Sequence, residues 1–442
     1  MNKLFGTLLL LFSFAQLMSC ESISMNNRKP NIILIMADDF GYECVGANGG
    51  TSYKTPVIDN LAEQGIRFTH CYSQPVCTPS RVKLMTGIYN VRNYIEFGIL
   101  DANQTTFANL LKGDGYATCV VGKWQLSADV NAPQHFGFDE SCLWQHTRKY
   151  TKEINGKSYD TRFVNPQLEI NGKNVNYTNG EYGPDVVCDY AIDFMEKNKD
   201  KPFFVYYPMI LTHCPFVPTP DSKDWDPQSI GSETYKGNAK YFGDMTYYMD
   251  KLIGKIVNKV RELGLEENTL ILFTGDNGTD EPVVSMMGDR KVIGGKGRMD
   301  NTGNHVPFIA YWKGTIKPGQ VSEELVDFSD FLPSICDAAG TPVPQKLNVD
   351  GQSFLPLLKG QKEPSRKWVY IWYSRSGKLD ESKAFARNQR YKLYASGQLY
   401  DVKKDVMEKN PLSDAQMTKE EKTIKSMLLQ VHNKYKNSRD SN

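Results

Sequence analysis

Apolar positions along the chain form runs of two kinds. Three are short and unbroken: Asn31 to Met36 (NIILIM), Pro202 to Pro208 (PFFVYYP) and Thr269 to Phe273 (TLILF). Runs of that length without polar alternation predict strands buried on both faces. Others recur at helical spacing. Val57, Ile58, Leu61 and Ala62 follow Thr55-Pro56, a second stretch lies around Val187 to Lys197, and a long amphipathic one runs from Ala239 to Leu263 before Gly264. Their alternation predicts an α/β fold with a large central, mostly parallel sheet flanked by helices. After about Pro342 the pattern loosens into aromatic-rich runs at Trp368 to Tyr373, Tyr391 to Tyr394 and Gln398 to Asp401, then a charged helical end. Residues 30–340 are therefore expected to form the main domain. Residues 341–442 are expected to form a smaller α+β subdomain with a short antiparallel sheet.

In such sheets ligands collect at the carboxyl ends of strands. The polar residues at those ends here are Asp38 and Asp39, His213, and Asp276 with Asn277. Two carboxylates with a later Asp-Asn offer hard oxygen ligands that suit calcium or magnesium, not zinc. Neither pair is specific alone, since both are ordinary turn sequences. Composition narrows the chemistry further. Six histidines are few for an imidazole-ligated zinc enzyme, and a net charge of +1 gives no general reason to bind nucleic acid.

Lys3 followed by the apolar stretch Leu4 to Leu17, with Met18-Ser19-Cys20 behind it, reads as an export signal over residues 1–19. Leu17-Met18-Ser19-Cys20 resembles a bacterial lipoprotein box, with Met18 larger than usual there. Cys20 would then carry lipid, residues 20–29 would form a linker, and the protein would reside in the periplasm or on the outer membrane or cell surface. The other eight cysteines contain no CxxC pair and read mostly as small buried hydrophobes.

Cys77 is the exception. Cys77-Thr78-Pro79-Ser80-Arg81, continuing to Thr86-Gly87, resembles the sulfatase signature C-x-P-S-R-x-x-x-x-T-G. With NIILIMADDFGY, GKWQL, KPFFVYYPMILTHCPFVP, NTLILFTGDNG and GGKGRMDNTGNHVPFIAYW, the resemblance to formylglycine-dependent type I sulfatases of the alkaline phosphatase superfamily covers most of the mature chain. It implies an alkaline phosphatase-like fold. It also implies conversion of Cys77 to formylglycine by a formylglycine-generating or anaerobic sulfatase-maturing enzyme. One oxygen of the hydrated aldehyde attacks sulfur, and loss of the other hydroxyl's proton rebuilds the aldehyde and expels sulfate. A thiol cannot do this. The resemblance further implies a Ca2+ site, with Mg2+ the weaker candidate, made by Asp38, Asp39, Asp276, Asn277 and residue 77. Arg81 supports formylglycine, Lys123 and Lys296 hold sulfate oxygens, and His213, as an imidazolium, protonates the leaving oxygen or binds sulfate.

One position departs from the family. Its GKWHLG motif supplies a histidine where this chain has Gln125. Glutamine donates hydrogen bonds but shuttles no proton, which leaves His305 as a candidate base. Trp144, His146, Arg148 and Tyr150, and Trp372, Tyr373 and Arg375, are aromatic-basic groupings suited to sugar stacking and anion recognition, or to core packing. The expected substrate is an O-sulfate on an extracellular glycan: a glycosaminoglycan, mucin or algal polysaccharide fragment. The alternatives are a phosphodiesterase or phosphonate hydrolase of the same superfamily, and a catalytically silent surface lipoprotein that binds sulfated glycans.

Overall fold

The computed structural model describes residues 28–144, 146–147, 151–361 and 366–439. The N-terminal apolar stretch expected to direct export, Cys20, Arg148 and Tyr150 lie outside the described residues.

The first apolar run forms the strand Asn31–Ala37, and all seven of its residues are buried. It lies inside a ten-stranded sheet, paired in parallel with Phe203–Pro208 on one side and Thr269–Gly275 on the other. Phe203–Pro208 continues in parallel to Ala117–Lys123, and that strand to Glu140–Trp144. The flanks are antiparallel. His305–Tyr311 joins Thr269–Gly275 to Ile66–Tyr72, while Gln167–Ile170 and Lys173–Asn176 extend the opposite side. Gln320–Asp327 closes the first edge in parallel with Ile66–Tyr72. The sheet is thus parallel at its centre and mixed overall.

Period-two geometry explains the unbroken apolar runs. Ile32, Leu34 and Met36 face one layer, packed with Val82, Leu84 and Met85 of the helix Cys77–Thr86. Ile33, Ile35 and Ala37 face the other, under the helices Gly183–Lys197 and Phe242–Glu262. Ile58, Leu61 and Ala62 of the helix Pro56–Gln64 join that second layer. Its first turn is held from outside: the Asp250 carboxylate accepts the Val57 and Ile58 amides, each at 2.9 Å.

The C-terminal part is a four-stranded antiparallel sheet of Val369–Tyr373, Lys383–Arg387, Tyr391–Tyr394 and Leu399–Asp401. The helix Lys419–Tyr435 packs on it through Leu428, Val431 and Tyr435. Tyr370, Trp372 and Ala386 share an apolar layer with the Cys77–Thr86 helix, so the core runs continuously across both parts. Within it Lys83, fully buried, donates to Asp327 at 2.8 Å and to the Tyr370 carbonyl at 2.9 Å. The helix that begins at Cys77 is thereby fastened to both sheets. No helix among the described residues is long and apolar enough to cross a membrane.

Candidate active site

The carboxyl ends of the central strands converge on the start of the Cys77–Thr86 helix. Asp38 and Asp39 leave Asn31–Ala37, and Asp276 and Asn277 leave Thr269–Gly275. Lys123 ends Ala117–Lys123, and His213 follows Phe203–Pro208. Asp39 adopts a left-handed φ of 58°, which turns it back beneath the strand ends; its amide donates to Asp276 Oδ1 at 3.0 Å. Gly122 has φ of 114°, and a Cβ there would lie 2.0 Å from the Pro208 carbonyl, so the strand bearing Lys123 approaches its neighbour closely only with glycine.

Acidic and basic groups alternate around this point. Arg81, fully buried, lies 3.0 Å from Asp276 Oδ2 and 3.7 Å from Asp38 Oδ2, and donates to the Lys123 carbonyl at 2.6 Å. Lys123 Nζ reaches Asp38 Oδ2 at 2.7 Å, and Lys296 Nζ reaches Asp39 Oδ2 at 2.7 Å. Asn277 donates to Asp39 Oδ1 at 2.8 Å. Burial raises the Asp38 carboxyl, but Lys123, Arg81 and Lys296 hold it below its ordinary range. Burial and the adjacent Asp38 push Asp276 up to about 7. Burial also raises Asp39 in spite of Lys296.

These residues fit a hard cation. Asp38 Oδ1 and Asn277 Oδ1 are buried oxygens that accept no hydrogen bond, and Asp38 Oδ2 is met only by ion pairs. Asp38, Asp39 and His213 present ligand atoms within 4.8 Å of one another. A dication among these carboxylates would offset both the burial and the Asp38 repulsion that raise Asp276.

Cys77 opens its helix, where the exposed amides favour negative charge. Its Sγ meets Gln125 Oε1 at 2.7 Å, so Gln125 stands against residue 77, with its own φ at 53°. Burial raises the thiol despite Lys123 and Lys296. Unmodified, it stays protonated and is a poor nucleophile. All eight described cysteines are buried free thiols.

His213 Nε2 lies 3.8 Å from Asp39 Oδ2, and burial with Lys296, Lys123 and Arg162 pushes the ring well below the ordinary histidine range. That direction disfavours the imidazolium form that the family resemblance implies. His305 is engaged elsewhere: Nε2 donates to the Thr69 carbonyl at 2.9 Å, and the ring stacks on Tyr42 and Tyr72 at 4.1 and 5.1 Å. Burial, His70 and Arg387 push it down to about 3. A base role for His305 has no geometric support.

The aromatic groupings divide. Trp144 and Trp372 are 2% and 3% exposed, with Arg162 and Arg439 against their rings, so neither presents a face for a sugar. Both belong to the core. Arg375 is exposed and stacks on Phe97 at 4.2 Å. Tyr373 is half-buried, and burial raises its hydroxyl despite Arg375. His146 is buried edge-on to Trp124, both ring nitrogens without partners. Sequence reasoning missed Tyr235, whose ring stands edge-on to His213 at 6.4 Å, and Arg162, whose Nη1 lies 2.7 Å from His213 Nδ1. Neither sits in a motif.

A buried cluster of carboxylates interleaved with Arg81, Lys123 and Lys296 at the strand ends of an α/β sheet suits chemistry on an anionic ester. The family model described as Sulfatase matches residues 30–341, and that described as N-sulphoglucosamine sulphohydrolase, C-terminal, matches residues 295–434. The chain belongs to the sulfatase family and is a sulfuric ester hydrolase. It is 31% identical to human arylsulfatase A over 78% of this chain and 71% of that protein. It is 29% identical to an N-acetylgalactosamine-6-O-sulfatase of Bacteroides thetaiotaomicron over 87% of this chain and 90% of the relative. The crystal structure of Ps i-CgsB matches with a TM-score of 0.76 at 27% identity, over 93% of this chain and 94% of that one. The same values hold for its complex with k-i-k-neocarrahexaose.

Proposed function

We propose that this protein is exported and removes O-sulfate from an extracellular glycan, using formylglycine made from Cys77 by a maturation enzyme and one bound Ca2+. The observation that carries this reading is the joining of Cys77, at a helix start, to Asp38, Asp39, Asp276 and Asn277 within one ring of Arg81, Lys123 and Lys296. Asp38, Asp39, Asp276, Asn277 and residue 77 would hold the calcium. When present, formylglycine supplies a hydrated-aldehyde oxygen as nucleophile, and calcium neutralises charge beside it.

The chain's own residues do the rest. Lys123 and Lys296, each paired to a carboxylate, are held ready to bind sulfate oxygens. His213 donates from Nε2 toward the leaving oxygen. Gln125 accepts a hydrogen bond from residue 77 through Oε1 and shuttles no proton. Arg375, exposed, and Tyr373, half-buried, are the side chains of the aromatic-basic groupings left to meet the sugar. The relative named for N-acetylgalactosamine 6-O-sulfate and the saccharide-bound structural neighbour support a sugar substrate. The apolar segment from Leu4 to Leu17 supports export, and Cys20 supports a lipid tether in the periplasm or at the cell surface.

The test is the purified matured enzyme on nitrophenyl sulfate and nitrophenyl phosphate, alongside Cys77→Ala. The reading predicts sulfate hydrolysis well above phosphate hydrolysis, and none with Cys77→Ala. Faster phosphate hydrolysis, or an active Cys77→Ala, contradicts it.

A further inference from the structure

Residues 217–238 make a long connection with no helix or strand of its own, and ordered connections of that length are usually functional. This one is pinned at two points. Asp160 and Ser232 exchange backbone hydrogen bonds of 2.8 and 3.0 Å, and Phe216 makes two more with Lys236 and Asn238, of 2.9 and 2.8 Å. Gly237 permits the second pin, because a Cβ there would lie 2.3 Å from the Phe216 carbonyl oxygen. The connection bounds a cavity of about 370 Å³, within the size range of small-molecule sites.

Its wall carries two kinds of surface. Buried Phe216 and half-buried Trp225 are apolar, and Tyr182 braces the Trp225 ring edge-on at 5.4 Å. Asp160, Asp224, Asp226 and Glu233 supply carboxylates. Three of the four are paired: Asp160 with Arg162 at 2.9 Å, Asp224 with Lys240 at 3.1 Å, and Glu233 with Lys157 at 3.1 Å. The carboxylate members of these pairs line the cavity and the cationic members do not; no Lys, Arg or His among the described residues lines it. An indole beside hydrogen-bond acceptors suits the apolar face and the hydroxyl donors of a sugar ring. A sulfate or uronate there would meet carboxylates with no cation facing it. A cationic ligand would find most of those carboxylates already taken.

The cavity adjoins the active site. Asp160 in its wall and His213 grip the same guanidinium, since Arg162 Nη1 lies 2.7 Å from His213 Nδ1. Exposed Tyr235, carried on the same connection, stands edge-on to His213 at 6.4 Å. We propose that this cavity is a second glycan site, binding an uncharged sugar residue near the sulfated one, a proposal that rests on the glycan reading above. The enzyme would then select sulfate esters flanked by neutral sugars and discriminate against neighbours that carry sulfate or uronate.

Two measurements test it. The first needs no turnover: titration calorimetry of the enzyme with unsulfated galactan and N-acetyllactosamine oligosaccharides, and with an unsulfated chondroitin hexasaccharide as the uronate probe. A neutral oligosaccharide is expected to bind at least about tenfold more tightly than the uronate probe, and Trp225→Ala to weaken it by at least about tenfold. Asp226→Lys, at an exposed position that tolerates change, is expected to narrow the preference for the neutral ligand. No binding of either neutral probe, equal binding of the uronate, or an unaffected Trp225→Ala overturns the proposal. The second is kcat/KM on a sulfated sugar with a neutral neighbour, divided by that on nitrophenyl sulfate, which has none. Trp225→Ala is expected to lower this ratio by at least about tenfold, and an unaltered ratio overturns the proposal. Failure of the glycan reading would look different: aryl sulfate turnover with none on any sulfated sugar, whatever residue stands at position 225.

Discussion

Arg81→Met tests the electrostatic balance of the site. Arg81 is fully buried at 3.0 Å from Asp276 and 3.7 Å from Asp38, so its loss leaves both carboxylates with less compensation. At an effective dielectric of about 20 the two attractions are worth roughly 5 kcal/mol each before desolvation is counted. Recovered solvation of the arginine offsets much of that, and breaking a buried pair costs about 3–5 kcal/mol in practice. Methionine keeps most of the volume, so little of the loss comes from a cavity. The assay is urea unfolding of Arg81→Met and its parent, both carrying Cys77→Ala so that position 77 is identical, in chelator and in excess calcium. In chelator the variant is expected to lose about 3–5 kcal/mol at unchanged m. In calcium the gap is expected to shrink by at least about 1.4 kcal/mol, a tenfold gain in calcium affinity once a competing cation is gone. A gap under about 1 kcal/mol in chelator, or one that calcium does not narrow, refutes the reasoning.

Lys296→Ala is expected to lower kcat by about 10²–10³ with calcium content unchanged, measured on an aryl sulfate; a change in KM alone would make Lys296 a simple binding contact. Trp372→Ala is expected to cost about 3–5 kcal/mol and to lower aryl and sugar sulfate turnover alike, whereas selective loss on the sugar would return it to the substrate. Burial raises Asp250 to about 6 in spite of its two amide bonds, against 3.8 as its ordinary value. It therefore binds its proton more tightly folded than unfolded, favouring the fold most below pH 4 and losing that advantage as pH climbs to about 6. The stability of wild type minus that of Asp250→Asn should fall by about 3 kcal/mol across this range, and a flat difference contradicts the assignment. Gln125→His is expected to fold normally, since histidine tolerates a left-handed backbone, and to retain turnover; complete inactivity with normal metal content would show that the glutamine is required.

The parallel centre of the sheet and the acidic strand ends were legible because the forces behind them are local. Ile32 to Ala37 is apolar throughout because both faces of the strand are covered, and polar residues at its end have little to do but bind. The antiparallel flanks were not legible. Gln167–Ile170 and Lys173–Asn176 are four residues each and owe their form to pairing. Single aromatics misled for a related reason. Trp144 and Trp372 stand beside charged residues in sequence, and only the fold reveals that arginines pack on them inside the core. Arg162 was invisible because its meaning comes from His213, fifty-one residues later.

The central claim is that residue 77 is no longer cysteine in the working enzyme. Mass spectrometry of the peptide containing Cys77, taken from preparations made with and without a maturation enzyme and assayed on aryl sulfate, tests it most directly. The account predicts a loss of about 18 Da, restored on hydration of the aldehyde, in a fraction of molecules that tracks specific activity across preparations. Full activity in protein carrying only the unmodified thiol would contradict it.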